Sequence, residues 1–166
     1  MKRLNRMICG LMAALMLLVC VGVPVDANAA SKSPYYIKVN RRQNCVTIYK
    51  LDNKGKYTVP VKAMACSTGL HNATPLGKFR LGTKYRWHAL DGGVYGQYCS
   101  RINGGVLFHS VFYHSTNPSQ LYYNAYNKLG NTASHGCVRL CVADAKWIYD
   151  NCPSGTTIEI FDGNNP

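Results

Sequence analysis

Eight short runs rich in Val, Ile, Tyr and Thr, each set off from the next by Gly, Asn or Asp, constrain this chain to a core built from strands. The runs cover residues 35–40, 44–50, 57–67, 77–81, 84–90, 94–100, 105–109 and 156–161. Asp52-Asn53-Lys54-Gly55 and Asp91-Gly92-Gly93 each join two runs and offer the positive-φ positions that tight hairpins require. One helix is expected over 142-VADAKWIYDNC-152, stopped by Pro153, and a weaker helical stretch over Ser119 to Leu129. The expected fold is mostly β, with one or two short helices and a late closing strand. The twelve Tyr are explained first by strand surfaces and core edges.

The N-terminal part reads as a targeting segment. Lys2, Arg3 and Arg6 precede the apolar stretch 7-MICGLMAALMLLVCVGV-23, and Ala27-Asn28-Ala29 is a small-x-small cleavage signal. The expectation is a signal peptide over 1–29, with retention as a membrane anchor as the alternative, since the stretch approaches the roughly 18 residues of a spanning helix. Cys20 would suit a lipid anchor, but Val19 stands where a small residue is needed. The remaining length suits one domain, expected over 34–162. Without Lys2, Arg3, Arg6 and Asp26 it carries 16 basic and 6 acidic residues, a formal charge of +10. On an exported protein such charge favours anionic wall polymers or lipid headgroups. Nucleic acid is not an expected partner, because the charges are dispersed and no binding motif is present.

Chemistry concentrates in 134-SHGCVRL-140 and 105-GVLFHS-110. An ordinary cysteine is only a few per cent thiolate at neutral pH, and an imidazole can take the thiol proton and later return it to a leaving amine. Cys137 and His109 therefore point to covalent acyl transfer. The amides of Gly136 and Cys137, in a turn before a helix, are candidate donors to a tetrahedral oxyanion. Six cysteines follow the targeting segment: Cys45, Cys66, Cys99, Cys137, Cys141 and Cys152. Export permits disulfides but spacing does not pair them. Cys137-x3-Cys141 with His135 lacks a second compact ligand pair, so no metal site is expected, and no phosphate loop or other cofactor motif is present.

These residues carry a resemblance. His109, followed after a spacer by Ser134, His135, Gly136, Cys137, Val138 and Arg139, is similar to the signature of the L,D-transpeptidase catalytic domain family of the YkuD type, and 68-TG-69 and 74-TPLGKF-79 match its upstream segments. The resemblance spans nearly all of Pro34 to Asp162 and implies a β-sandwich catalytic domain. It implies Cys137 as nucleophile, His109 as base, and Ser110 orienting His109 through its main-chain carbonyl. His135 and Gly136 would shape the oxyanion side. Arg139 would hold the loop or meet a substrate carboxylate, and Ser134 and Tyr113 would contact substrate. The implied partners are peptidoglycan tetrapeptide stems, joined into 3-3 crosslinks with release of D-Ala. No cofactor is implied, a monomer is expected, and carbapenems would acylate Cys137.

Two departures matter. The spacer from His109 to Ser134 holds 24 residues and is longer than is usual in the family. It is read as an inserted lid or substrate-binding hairpin over 113-YHSTNPSQLYYNAYN-127. His114 is the rival base, but it is detached from the strand-like run ending at Phe108. Ser110 stands where many relatives have glycine. The competing functions are an L,D-carboxypeptidase using water as acceptor and a non-catalytic wall-binding module. The expected location is the outer face of the cell or the wall.

Overall fold

The computed structural model describes residues 32–164. The segment read as a signal peptide or anchor over 1–29 lies outside the described residues. Nine strands and two short helices follow in the order β1 (Tyr35–Asn40), β2 (Cys45–Leu51), β3 (Tyr57–Ser67), β4 (Gly77–Arg80), β5 (Lys84–Leu90), β6 (Val94–Asn103), β7 (Val106–Ser110), α1 (Tyr123–Tyr126), β8 (Val138–Leu140), α2 (Val142–Asn151) and β9 (Thr157–Phe161). A single 3-10 turn, Leu70–Asn72, precedes β4.

The strands form one continuous ladder, β4-β9-β1-β2-β3-β8-β7-β6-β5, folded into a sandwich by β3. Most of β3 pairs with β2, while its last two residues pair with β8, Cys66 with Leu140 and Ser67 with Arg139. Pro60 is tolerated within β3 because the register shifts beside its partner Tyr49, where a missing N–H breaks no regular ladder. The first half-sandwich has a strict period of two. Ile37 and Val39, Val46 and Ile48, and Ile158 and Ile160 face inward and are almost fully buried. Ile37 lies opposite Ile48 and Ile158, and Val39 opposite Val46 and Ile160, so three strands present apolar rows in register. A one-residue slip would turn every one of these side chains outward.

The second half-sandwich is closed by α2, which packs on β6, β7 and β8. Ala145 and Ile148 enter the core with Phe108, Val138 and Leu140, and Trp147 meets the Tyr35 ring edge-on at 5.2 Å. The two expected hairpin turns are present between β2 and β3 and between β5 and β6. The weaker expected helix shrinks to α1, a single turn of helix followed by a hydrogen-bonded turn over residues 127–130. Strand β8 lies within what the sequence reads as a turn. It has only three residues, too few to show a pattern, and its place between β3 and β7 makes it a strand.

Candidate active site

The nucleophile candidate and the base candidate stand on adjacent parallel strands. β7 pairs with β8 through Phe108 opposite Val138 and His109 opposite Arg139, with Cys137 immediately preceding β8. Both residues line a cleft of about 1040 Å³, walled by the β5–β6 turn on one side and by the segment around α1 on another. His88, Asp91, His114, Tyr122, His135 and Arg139 also line it.

His109 is 2% exposed, and its Nδ1 lies 2.5 Å from the main-chain oxygen of Ser110. A carbonyl can only accept, so Nδ1 carries the proton and Nε2 keeps its lone pair. Burial drives the imidazole pKa down to about 4 against the opposing pull of the Ser110 carbonyl, and the cations of Arg139 and His88 push the same way as burial. The ring is neutral at ordinary pH. Ser110 is itself locked, its hydroxyl donating to the Val111 carbonyl at 2.7 Å and accepting the Gln97 amide at 2.9 Å. A serine at this position therefore works as a brace below the ring.

Burial raises the Cys137 thiol, while the Leu107 backbone and the Arg139 cation pull it down and Asp91 adds to the rise. The thiol points to the Gly105 carbonyl at 3.7 Å, a contact that a protonated sulfur can make. Thiol and imidazole are thus both neutral at rest, so any reaction through the sulfur would require removal of its proton.

The loop that presents Cys137 is built from four local bonds. Ser134 Oγ donates to the Cys137 carbonyl at 2.6 Å and accepts the Gly136 amide at 3.0 Å. Thr74 Oγ1 donates to the Gly136 carbonyl at 2.8 Å and accepts the Gly69 amide at 2.7 Å. Gly136 has φ of +140°, which an L side chain rarely adopts, and a Cβ on Gly69 would stand 3.0 Å from the Gly136 Cα. The Thr68-Gly69 and Thr74 segments matched in sequence are thus the backing of the nucleophile loop.

Several expected roles change. Ser134 is fully buried and its hydroxyl both donates and accepts inside the loop, so it shapes the turn. Tyr113 is 4% exposed, bridges Tyr95 and Leu121 and packs edge-on against Trp87 at 5.2 Å, so it anchors the inserted segment beneath the surface. The Gly136 amide is occupied by Ser134 and is not a donor to spare. Arg139 holds the loop, donating from Nη1 to the Ala133 carbonyl at 2.8 Å, and lies 4.9 Å over the Phe112 ring, while its buried Nε has no partner. His135 is exposed at the cleft wall. His114 also lines the cleft, on the inserted segment, with its ring against Tyr122 at 4.9 Å.

Gly96 was not singled out by sequence and proves part of the site. It lies on β6 opposite His88, and a Cβ there would stand 3.1 Å from His109 Nδ1 and 2.9 Å from Cys99 Sγ. A glycine within a strand was the available signal, since it marks close approach of another group. All six cysteines among the described residues are free thiols. Among the described residues no three His, Cys, Asp or Glu gather as metal ligands.

Residues 34–160 match the family model YkuD, the L,D-transpeptidase catalytic domain. The putative L,D-transpeptidase YciB of Bacillus subtilis is 35% identical over 108 residues, covering 60% of this chain and 55% of that protein. Among solved structures, a fused Zn-dependent amidase/peptidase/peptidoglycan-binding domain-containing protein from Clostridium acetobutylicum superposes with a TM-score of 0.58 at 26% identity, over 77% of this chain and 52% of that one. The transpeptidase LdtMt1 in complex with imipenem superposes with a TM-score of 0.62 at 21% identity, over 78% of this chain and 59% of that one, a likeness of fold. The chain spans little more than half the length of these relatives.

Proposed function

The chain belongs to the YkuD family of L,D-transpeptidase catalytic domains, and we propose that it forms 3-3 crosslinks between peptidoglycan tetrapeptide stems through an acyl-enzyme on Cys137. The observation that carries this reading is the buried bond from His109 Nδ1 to the Ser110 carbonyl, which leaves a neutral, proton-accepting Nε2 on a ring that lines the same cleft as the Cys137 thiol. Cys137 Sγ attacks the carbonyl of the third stem residue as His109 takes the thiol proton. The tetrahedral oxyanion is met by the Cys137 amide, and collapse expels D-Ala, whose amine receives the proton from His109. A thioester remains. The side-chain amine of a neighbouring stem attacks it, His109 again takes and returns one proton, and the thiol is restored. Arg139 fixes the Ala133 side of the loop and lines the cleft, where its guanidinium charge favours a stem carboxylate.

The protein acts, in this reading, as an exported enzyme at the outer face of the cell, where the formal charge of +10 beyond the targeting segment favours anionic wall polymers. Family membership further leads us to expect that carbapenems acylate Cys137. Mass spectrometry of tetrapeptide stems incubated with the protein tests the reaction. Coupled D-Ala loss and dimer formation are expected; D-Ala loss without dimers would reassign water as the acceptor, and no turnover would leave a wall-binding module.

Two variants probe the supports of the site. Gly96→Ala forces the His109 ring aside, and kcat is expected to fall about 10- to 100-fold, the scale of a misplacement near 1 Å. An unchanged kcat would free β6 of any part in placing the base. Shortening the segment between Tyr113 and Asn127 admits water to the thioester and should move the crosslinking-to-hydrolysis ratio toward hydrolysis, by an amount on the order of tenfold. An unaltered product ratio would deny the segment control of the acceptor.

A further inference from the structure

The inserted segment leaves an aromatic ledge that the reaction above does not use. Leu121 is bridged to Tyr113, and the chain then turns into α1 with Tyr122, Tyr123 and Tyr126 at 37%, 69% and 45% exposure. Three of the seven large hydrophobic residues exposed among the described residues thus fall within five positions. Within α1 a spacing of three places Tyr126 beside Tyr123 on one helical face, and Tyr122 immediately precedes the helix. Tyr122 is fixed by rings on either side, Phe112 at 5.0 Å and His114 at 4.9 Å, whereas the Tyr123 and Tyr126 rings make no ring contact among the described residues. The ledge is continuous with the catalytic cleft, because Tyr122, Asn124, Ala125 and Lys128 line that cleft from the same segment.

We infer that this ledge binds the glycan strand that carries the donor stem, with N-acetylated hexosamines stacking on Tyr123 and Tyr126. The inference rests on the peptidoglycan reading of the cleft. A stem peptide in that cleft continues into the sugar to which it is attached, and a ledge continuous with the cleft lies within reach of that sugar. The chemistry of the ledge fits. The C–H face of a pyranose is apolar and carries slight positive charge on its hydrogens, complementary to the negative face of an aromatic ring. Tyrosine adds a hydroxyl at the rim for sugar hydroxyls, and Asn124 offers a carboxamide of the type that pairs with an acetamido group. Two χ angles per ring make the stack cheap in conformational entropy.

The test compares two donors, a free tetrapeptide and the same tetrapeptide on its N-acetylated disaccharide, for the intact protein and for Tyr123→Ala/Tyr126→Ala. The intact protein should favour the disaccharide-bearing donor in KM by roughly tenfold, the scale of two ring contacts. The double variant should lose that preference while its turnover of free tetrapeptide, which also reports correct folding, stays the same. No preference in the intact protein, or one that survives in the double variant, overturns the inference. A titration independent of turnover separates it from the transpeptidase reading. Tetra-N-acetylchitotetraose added to the full-length protein should shift the Tyr123 and Tyr126 ring resonances, and an absence of shift at millimolar sugar counts against the ledge even if crosslinking is observed. Sugar-dependent shifts without any turnover of either donor would keep the ledge and remove the transpeptidase.

Discussion

Cys137→Ala should reduce D-Ala release by a factor on the order of 10⁴ to 10⁶, the loss that follows when a covalent nucleophile is removed from a site whose members act as a unit. Almost no structural penalty should accompany it. Cys137 is only partly buried, its side chain makes one long contact to Gly105, and the loop is held by Ser134 and Thr74 through main-chain atoms that alanine retains. Three readouts belong together: D-Ala release from tetrapeptide, the mass adduct left by imipenem, and the thermal midpoint. The intact protein should gain one adduct and the variant none, with midpoints matching within a few degrees. A folded variant that keeps more than about 1% of the activity would mean that sulfur is not the acyl carrier. Cys137→Ser is the sharper companion, because it preserves shape and leaves a hydroxyl whose proton a neutral imidazole removes far less readily.

The second large effect is a pH dependence set by the burial of His109. Burial lowers its pKa from the usual 6.5 to about 4. The catalytic sign is direct: only the neutral ring accepts a proton, so kcat/KM should hold from neutrality down past pH 5 and fall only as pH drops through about 4. The stability sign is the same. Between the two values the unfolded chain binds the proton and the folded chain refuses it, so stability is fully present above pH 6.5 and drains away as pH falls toward 4. The size is of order 3 kcal/mol for this one ring. Urea midpoints at pH 7.5 and 4.5 measure it, with His109→Asn as the reference that lacks the titrating group. The variant should lose less stability on acidification and should also lose about 10²- to 10⁴-fold in activity. Equal acid sensitivity in both proteins would assign the effect to groups other than His109.

Much of the fold can be read from residue types because the apolar rows of β1, β2 and β9 follow a period of two and the hairpins carry their own turn residues. β8 could not be read in the same way. Val138-Arg139-Leu140 has one inward, one outward and one inward side chain, and only neighbours supplied by β3 and β7 distinguish it from a loop. In the site, the residues of the Ser-His-Gly-Cys block and His109 were legible as a set, whereas burial was not. Ser134 and Tyr113 look like substrate contacts as residue types, since both carry a free hydroxyl, and both prove to be inside the protein. Gly96 matters for what it lacks: a glycine within a strand signals close approach, but only the fold shows that the approaching group is the His109 ring.

The pairing of β7 with β8 is parallel, and two parallel neighbours cannot be joined by a tight turn; the chain must leave the sheet and come back in the same direction over a dozen residues or more. His109 and Cys137 sit at the two ends of that excursion. The covering over the cleft is therefore an obligatory product of the strand order, present before any selection for substrate, and its length and composition can drift without disturbing the register that sets His109 against Arg139. A scaffold of this kind separates what evolves quickly from what must stay fixed. Exchanging the excursion between relatives should retune which wall fragments are accepted while the chemistry beneath is inherited unchanged.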